Sequence, residues 1–136
     1  MTLGQVNITL GGDPVEVTAE LVTEHFAIAP SIGREENGNL IMNRDVSLTH
    51  IPTGGAFPMP WWSESTDAIR DLARALEALP IPWETFMPDD ARNPDVLPQV
   101  RAVYQSANEA WTARCVVLGA TREDQTAARE RERAGR

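Results

Sequence analysis

The segment richest in chemistry reads Ser47-Leu48-Thr49-His50-Ile51-Pro52-Thr53-Gly54-Gly55. A histidine at the end of an alternating run can donate, accept or act as a base near neutral pH. The hydroxyls of Thr49 and Thr53 would add hydrogen bonds, and glycines let backbone approach a ligand closely. Thr49, His50, Thr53, Gly54 and Gly55 are therefore the candidate small-ligand residues. The plainer reading is a strand ending in a tight turn, with Val46, Leu48 and His50 on one face and His50 bonded to backbone. That reading is preferred, because one histidine beside a Pro-Gly turn is not a catalytic set. A phosphate-binding loop is excluded, since it needs a lysine and the chain has none.

Aromatic residues supply the second candidate. Pro52 to Trp62 reads P-T-G-G-A-F-P-M-P-W-W. Tryptophans next to a Pro-rich loop make good interface anchors, so Phe57, Met59, Trp61 and Trp62 are the candidate protein-interface residues. Against this, Trp61 or Trp62 can fold back over the open end of the core, as Trp usually does. Trp83 and Trp111 read as core.

Other chemistry is thin. His25 and His50 are the two histidines, and neither has a second ligand at helical spacing. Glu24 and Asp45 could join them only through the fold, so no metal and no cofactor are expected. Cys115 is the single cysteine, which excludes an internal disulfide and a Cys-based zinc site. It falls on an apolar helical stripe and reads as a small core residue rather than a nucleophile. Asp89-Asp90 and Glu35-Glu36 read as solvated loop acids.

The run T-H-I-P-T-G at Thr49–Gly54, followed by a short Ala/Leu/Arg-rich helix and a nearby Trp, resembles small proteins encoded by viruses of actinobacteria. The resemblance spans Val46 to Trp83. It implies a setting and no activity, cofactor or site.

Composition agrees with that setting. All twelve basic residues are arginine. Arginine codons can be GC-rich and lysine codons cannot, so a high-GC bacterium or its virus is the expected source. The net charge is −8. Residues 1–120 hold seven Arg against sixteen acids, and residues 121–136 hold five Arg against four. An acidic domain repels phosphate, so nucleic-acid binding by bulk electrostatics is not expected. No apolar run reaches the roughly 20 residues of a membrane span, and Met1–Gln5 lack the start of a signal peptide. A cytoplasmic protein is expected, in the host cytoplasm if viral.

The positioning elements follow from periodicity. At 136 residues, with 42% hydrophobic and 24% charged, the chain is sized for one ordered domain. Val6, Ile8 and Leu10 alternate, Gly11-Gly12-Asp13-Pro14 turns, and Val15, Val17, Ala19 and Leu21 alternate again, which predicts a hairpin. Residues 25–32 predict a strand that Pro30 ends or confines to an edge. Residues 40–42 and 46–51 predict further strand, one or two pieces, and 52–62 a loop. Ile69, Leu72, Ala73, Leu76 and Leu79 make a helical stripe after the capping types Ser65, Thr66 and Asp67, and Pro80 ends it. Leu97, Val100, Tyr104, Ala107, Trp111, Cys115 and Leu118 make a second stripe, with Gly119 as its stop.

The expected fold is α+β: an N-terminal antiparallel sheet of about four strands packed against two C-terminal helices. Residues 1–120 form a single globular domain, and 121–136 a charged, helical tail with little to bury. The leading functional expectation is a non-enzymatic viral accessory protein that binds another protein, of host or virus, or itself. One alternative is a small-ligand or enzymatic site around His50. Another is an acidic mimic of nucleic acid.

Overall fold

The computed structural model describes residues 1–57, 66–117 and 130. It is an α+β fold. Five strands, β1 (Leu3–Leu10), β2 (Asp13–Leu21), β3 (Phe26–Arg34), β4 (Leu40–His50) and β5 (Gly55–Phe57), form one antiparallel meander in sequence order. Two helices follow, α1 (Thr66–Glu77) and α2 (Leu97–Val117), separated by a 3-10 turn at Pro88–Arg92. No helix among the described residues is long and apolar enough to cross a membrane.

The β1–β2 hairpin forms because Gly11 and Gly12 both take positive φ, 59° and 88°, in a two-residue turn. Such a turn matches the right-handed twist of the strands it joins. The register then places Val6 opposite Val17 and Ile8 opposite Val15. Leu21 closes β2.

β3 is buried on both faces from Phe26 to Ala29. Phe26 and Ile28 pack with Leu48 against α1. Ala27 and Ala29 pack with Val6, Ile8, Val17 and Ala19 on the opposite face. This division requires the β1–β2 hairpin to swing over the back of β3. The β2–β3 ladder is accordingly short, pairing Glu20 with Ile28 and Leu21 with Ala27. The small Ala side chains give the hairpin room. The sheet curls far enough for the Thr9 N–H of β1 to bond the Gly54 carbonyl beyond β4, at 2.9 Å.

Two expectations change, and one open alternative is decided. Pro30 neither ends its strand nor sits on an edge strand: β3 continues to Arg34, with Pro30 paired to Val46 and a register shift before Ile32. Proline is tolerated because β2 has already diverged there, so no partner on that side asks for its missing N–H. Residues 40–50 are one unbroken strand. The sheet has five strands, since Gly55–Phe57 pairs back on Leu48–His50 within the expected loop. Met59, Trp61 and Trp62 lie outside the described residues. So do the Cys115 side chain, Leu118, Gly119 and, apart from exposed Glu130, the charged tail.

α1 is held by packing. Ile69, Leu72, Ala73 and Leu76 are fully buried. Each large apolar side chain so buried contributes about 1.5–3 kcal/mol, which makes this stripe the main attachment of the helix. The Arg70 guanidinium forks onto Glu20 of β2, Nε to Oε2 at 2.6 Å and Nη2 to Oε1 at 2.9 Å. A partly exposed pair contributes much less than the stripe, so its role is to fix how α1 sits across β2. The Trp83 indole N–H bonds the Leu76 carbonyl at 2.9 Å, supplying one of the donors the helix end lacks. α2 differs from α1: within its described side chains no residue is fully buried, and its stripe of Val100, Val103, Tyr104, Ala107 and Trp111 is half covered.

Candidate functional site

β4 delivers Thr49 and His50 to opposite faces, as successive strand residues must be. Thr49 is buried, and its hydroxyl lies 3.4 Å from that of Ser47. His50 is fully buried among Phe26, Phe57, Trp83 and Phe86. The Trp83 carbonyl can only accept, so His50 Nε2 carries the proton and donates to it at 2.7 Å. Nδ1 is then the acceptor, 2.8 Å from the Thr53 hydroxyl, which donates to it. Thr53 Oγ1 in turn accepts the Gly55 N–H at 3.2 Å. Burial holds the His50 pKa below its ordinary value, against the Trp83 bond and the small effect of Glu77, while His25 adds to the lowering. His50 is thus a neutral residue with both ring nitrogens engaged.

Gly54 takes φ +70°, and the backbone that approaches it is the protein's own. A Cβ there would collide with the Asn7 carbonyl and come within 3.0 Å of the Thr9 nitrogen. The Thr9 hydroxyl also donates to the Thr53 carbonyl at 2.8 Å. The glycine therefore serves the docking of β1 on this turn.

The other histidine lies at the β2–β3 corner. The His25 backbone N–H and ring Nδ1 both reach the Glu77 carboxylate at the end of α1, at 2.8 and 2.9 Å. The bond to Glu77 raises the His25 pKa against the opposing effect of burial, with Glu24 and Glu84 adding to the rise. Burial resists ionisation of Glu77, but the bonds from His25 and Thr23 outweigh it and hold the carboxyl below its ordinary range.

A cleft of about 650 Å³ opens between β5 and α2. Phe57, Phe86, Ala91, Leu97, Val100 and Tyr104 give it an apolar lining, with Thr53 and Gly55 at one side and Arg101, Gln105 and Glu109 among its polar residues. The volume is that of a site for a small molecule or a few side chains. Burial pushes the Tyr104 phenol well above its ordinary pKa, so it stays a neutral hydroxyl.

The fold thus brings together candidates that the sequence treats as two groups: Thr53 and Gly55 from the His50 segment line the same cleft as Phe57. It does not bring Thr49, His50 or Gly54 to that lining. Leu97, Val100 and Tyr104 were legible as a helical stripe but read as core. Nothing local in their spacing says that the stripe is half covered. Phe86 carries no signal in sequence beyond its type.

No protein family, curated protein or solved structure matches the chain, so its reading rests on its own residues.

Proposed function

We propose that the chain is a non-catalytic binding protein that takes an apolar segment of a partner protein, flanked by basic residues, into the cleft between β5 and α2. The single observation that carries this is the apolar lining of a half-exposed cleft beside Phe57. Apolar side chains such as Leu97 and Val100 gain by being covered, and a chain segment that buries two or three large side chains there acquires a useful affinity. The basic flanks follow from charge: residues 1–120 carry sixteen acids against seven Arg, and such a surface speeds encounter with a cationic partner. The setting, a virus of a high-GC host, rests on the all-arginine composition and the T-H-I-P-T-G resemblance. The engagement of both His50 nitrogens supports binding over chemistry at that residue. The acid-mimic alternative is weaker, because Glu20, Asp67, Asp71 and Glu77 are tied to Arg70, Arg74 and His25 within the domain.

The test is to identify a partner by capture from host lysate and then titrate the purified partner against wild type and Val100→Glu. A charge in the cleft weakens binding at least about tenfold, and because Val100 is partly buried against the core, a melting curve of the variant checks that it is still folded at the titration temperature. A purified partner that binds both proteins equally sinks the reading. An apolar small molecule that displaces the partner, or binds in its place with the same sensitivity to Val100→Glu, would move the assignment to a small-ligand site.

A further inference from the structure

We propose that His25, Glu24 and Glu84 form a divalent transition-metal site of the zinc type, with Glu77 as the positioning carboxylate behind the histidine. His25 Nε2 and one carboxylate oxygen each from Glu24 and Glu84 all lie within 4.8 Å of one another. Nε2 is 4.0 Å from Glu24 Oε1 and 4.0 Å from Glu84 Oε1, too far for a hydrogen bond to either.

The second observation is the state of His25 itself. The residue is buried, its side chain 11% exposed, and its Nε2 makes no hydrogen bond among the described residues but lies 4.0 Å from one oxygen of each of the two carboxylates. Its other nitrogen is fixed: Nδ1–H donates to Glu77 Oε2 at 2.9 Å, and Glu77 is anchored again by the His25 backbone N–H. A carboxylate behind Nδ1 with Nε2 turned outward is the arrangement that sets tautomer, ring orientation and basicity in metal-bound histidines.

Geometry limits the metal. Bonds of about 2.0–2.2 Å to nitrogen and carboxylate oxygen put tetrahedral ligand atoms about 3.4 Å apart, so each oxygen must move roughly 0.6 Å toward Nε2, and the two oxygens up to about 1.4 Å toward each other. Glu24 and Glu84 have side chains about 80% exposed, 80% and 78%, and are free to make that movement. One imidazole and two carboxylates suit Zn²⁺ or a similar first-row cation, with a water in the remaining position. None of the four residues lines the cleft, so this site stands or falls independently of the proposed partner binding.

The experiment is calorimetric titration of untagged full-length protein with zinc chloride at about pH 8, where imidazole yields its proton to a cation. One equivalent binds, and the melting temperature rises with zinc. Glu24→Gln and Glu84→Gln each weaken binding about tenfold or more and leave the metal-free melting temperature unchanged, because both residues are exposed. Glu35→Gln, on an exposed turn elsewhere, has no effect. His25→Gln is not the decisive variant, since it also removes the Glu77 anchor. Instead, the His25 Nε2 nitrogen resonance shifts on adding one equivalent of zinc. Absence of stoichiometric binding, an unmoved Nε2 resonance, or binding indifferent to both Glu variants overturns the site.

Discussion

His50 Nε2 donates to the Trp83 carbonyl oxygen at 2.7 Å, tying the end of β4 to the loop that follows α1 across 33 positions of sequence. The bond lies inside an aromatic cluster in which Phe26 and Trp83 meet nearly edge to face, 4.9 Å between centroids at 78°. A carbonyl buried there has no water to turn to. His50→Ala therefore leaves the Trp83 carbonyl and the Thr53 hydroxyl without their partner and opens a cavity. The expected loss is about 4 kcal/mol, combining unsatisfied polar groups with the missing ring. Urea unfolding monitored by tryptophan fluorescence measures it. A loss under about 1 kcal/mol would mean that the cluster does not depend on the histidine.

The same residue makes stability depend on pH. Its folded pKa lies below the ordinary 6.5 because burial penalises the charged ring. The folded state therefore binds its proton less readily than the unfolded state. The associated stability is fully present above the unfolded pKa and is lost as pH falls from there through the folded value. His25, whose pKa is raised, contributes with the opposite sign, so the wild-type profile combines two opposed slopes. The discriminating quantity is the difference between wild type and His50→Gln. Melting temperatures from pH 8 down to pH 5 should fall more steeply for wild type than for the variant. Parallel curves would refute the linkage.

Gly54 offers a sharper test of the curled sheet. An added methyl meets two costs, the positive φ and the close backbone of β1. Gly38 provides the control, with φ +88° and nothing near its Cβ position. Gly38→Ala should cost about 1 kcal/mol, the penalty of the left-handed region alone. Gly54→Ala should cost at least about 2 kcal/mol more, since Asn7 and Thr9 must move away and the Thr9–Gly54 bond is lost. Equal losses in chemical denaturation would show that β1 does not bear on this turn.

How much of this was legible in the sequence follows from how local each cause is. The β1–β2 hairpin is written in Gly11-Gly12 and the alternation around it. Helix α1 is written in its stripe from Ile69 to Leu76. β5 was missed because Pro58 and Pro60 dominate their surroundings, while three residues pairing with Leu48–His50 carry almost no periodic signal. Pro30 was misjudged because its tolerance depends on where β2 leaves β3, which is set by the Ala27 and Ala29 face rather than by the proline. The His50 tautomer depends on the Trp83 carbonyl, and the cleft joins Phe57, Phe86 and Tyr104. Contacts at such separations leave no trace in spacing. The His25–Glu77 pair is hidden for the same reason, though Glu24 beside His25 was a visible half of the cluster.

The last prediction concerns nucleic acid. Non-specific binding comes almost wholly from cationic contacts that release counterions from phosphate. Residues 1–120 have sixteen acids against seven Arg and no lysine. Arg70 is held by Glu20 and Asp67, and Arg74 by Asp71, so two of the seven are already matched by carboxylates. Residues 121–136 add five Arg against four acids, a near cancellation. Fluorescence polarisation with labelled single- and double-stranded oligonucleotides at about 50 mM salt gives binding its best chance, because affinity falls steeply as salt rises. The expected dissociation constant is weaker than about 100 µM, beyond the ordinary non-specific range. Micromolar affinity that weakens with salt would refute this. If it then disappeared on removing residues 121–136, the binding element would be the arginine-bearing tail rather than the domain.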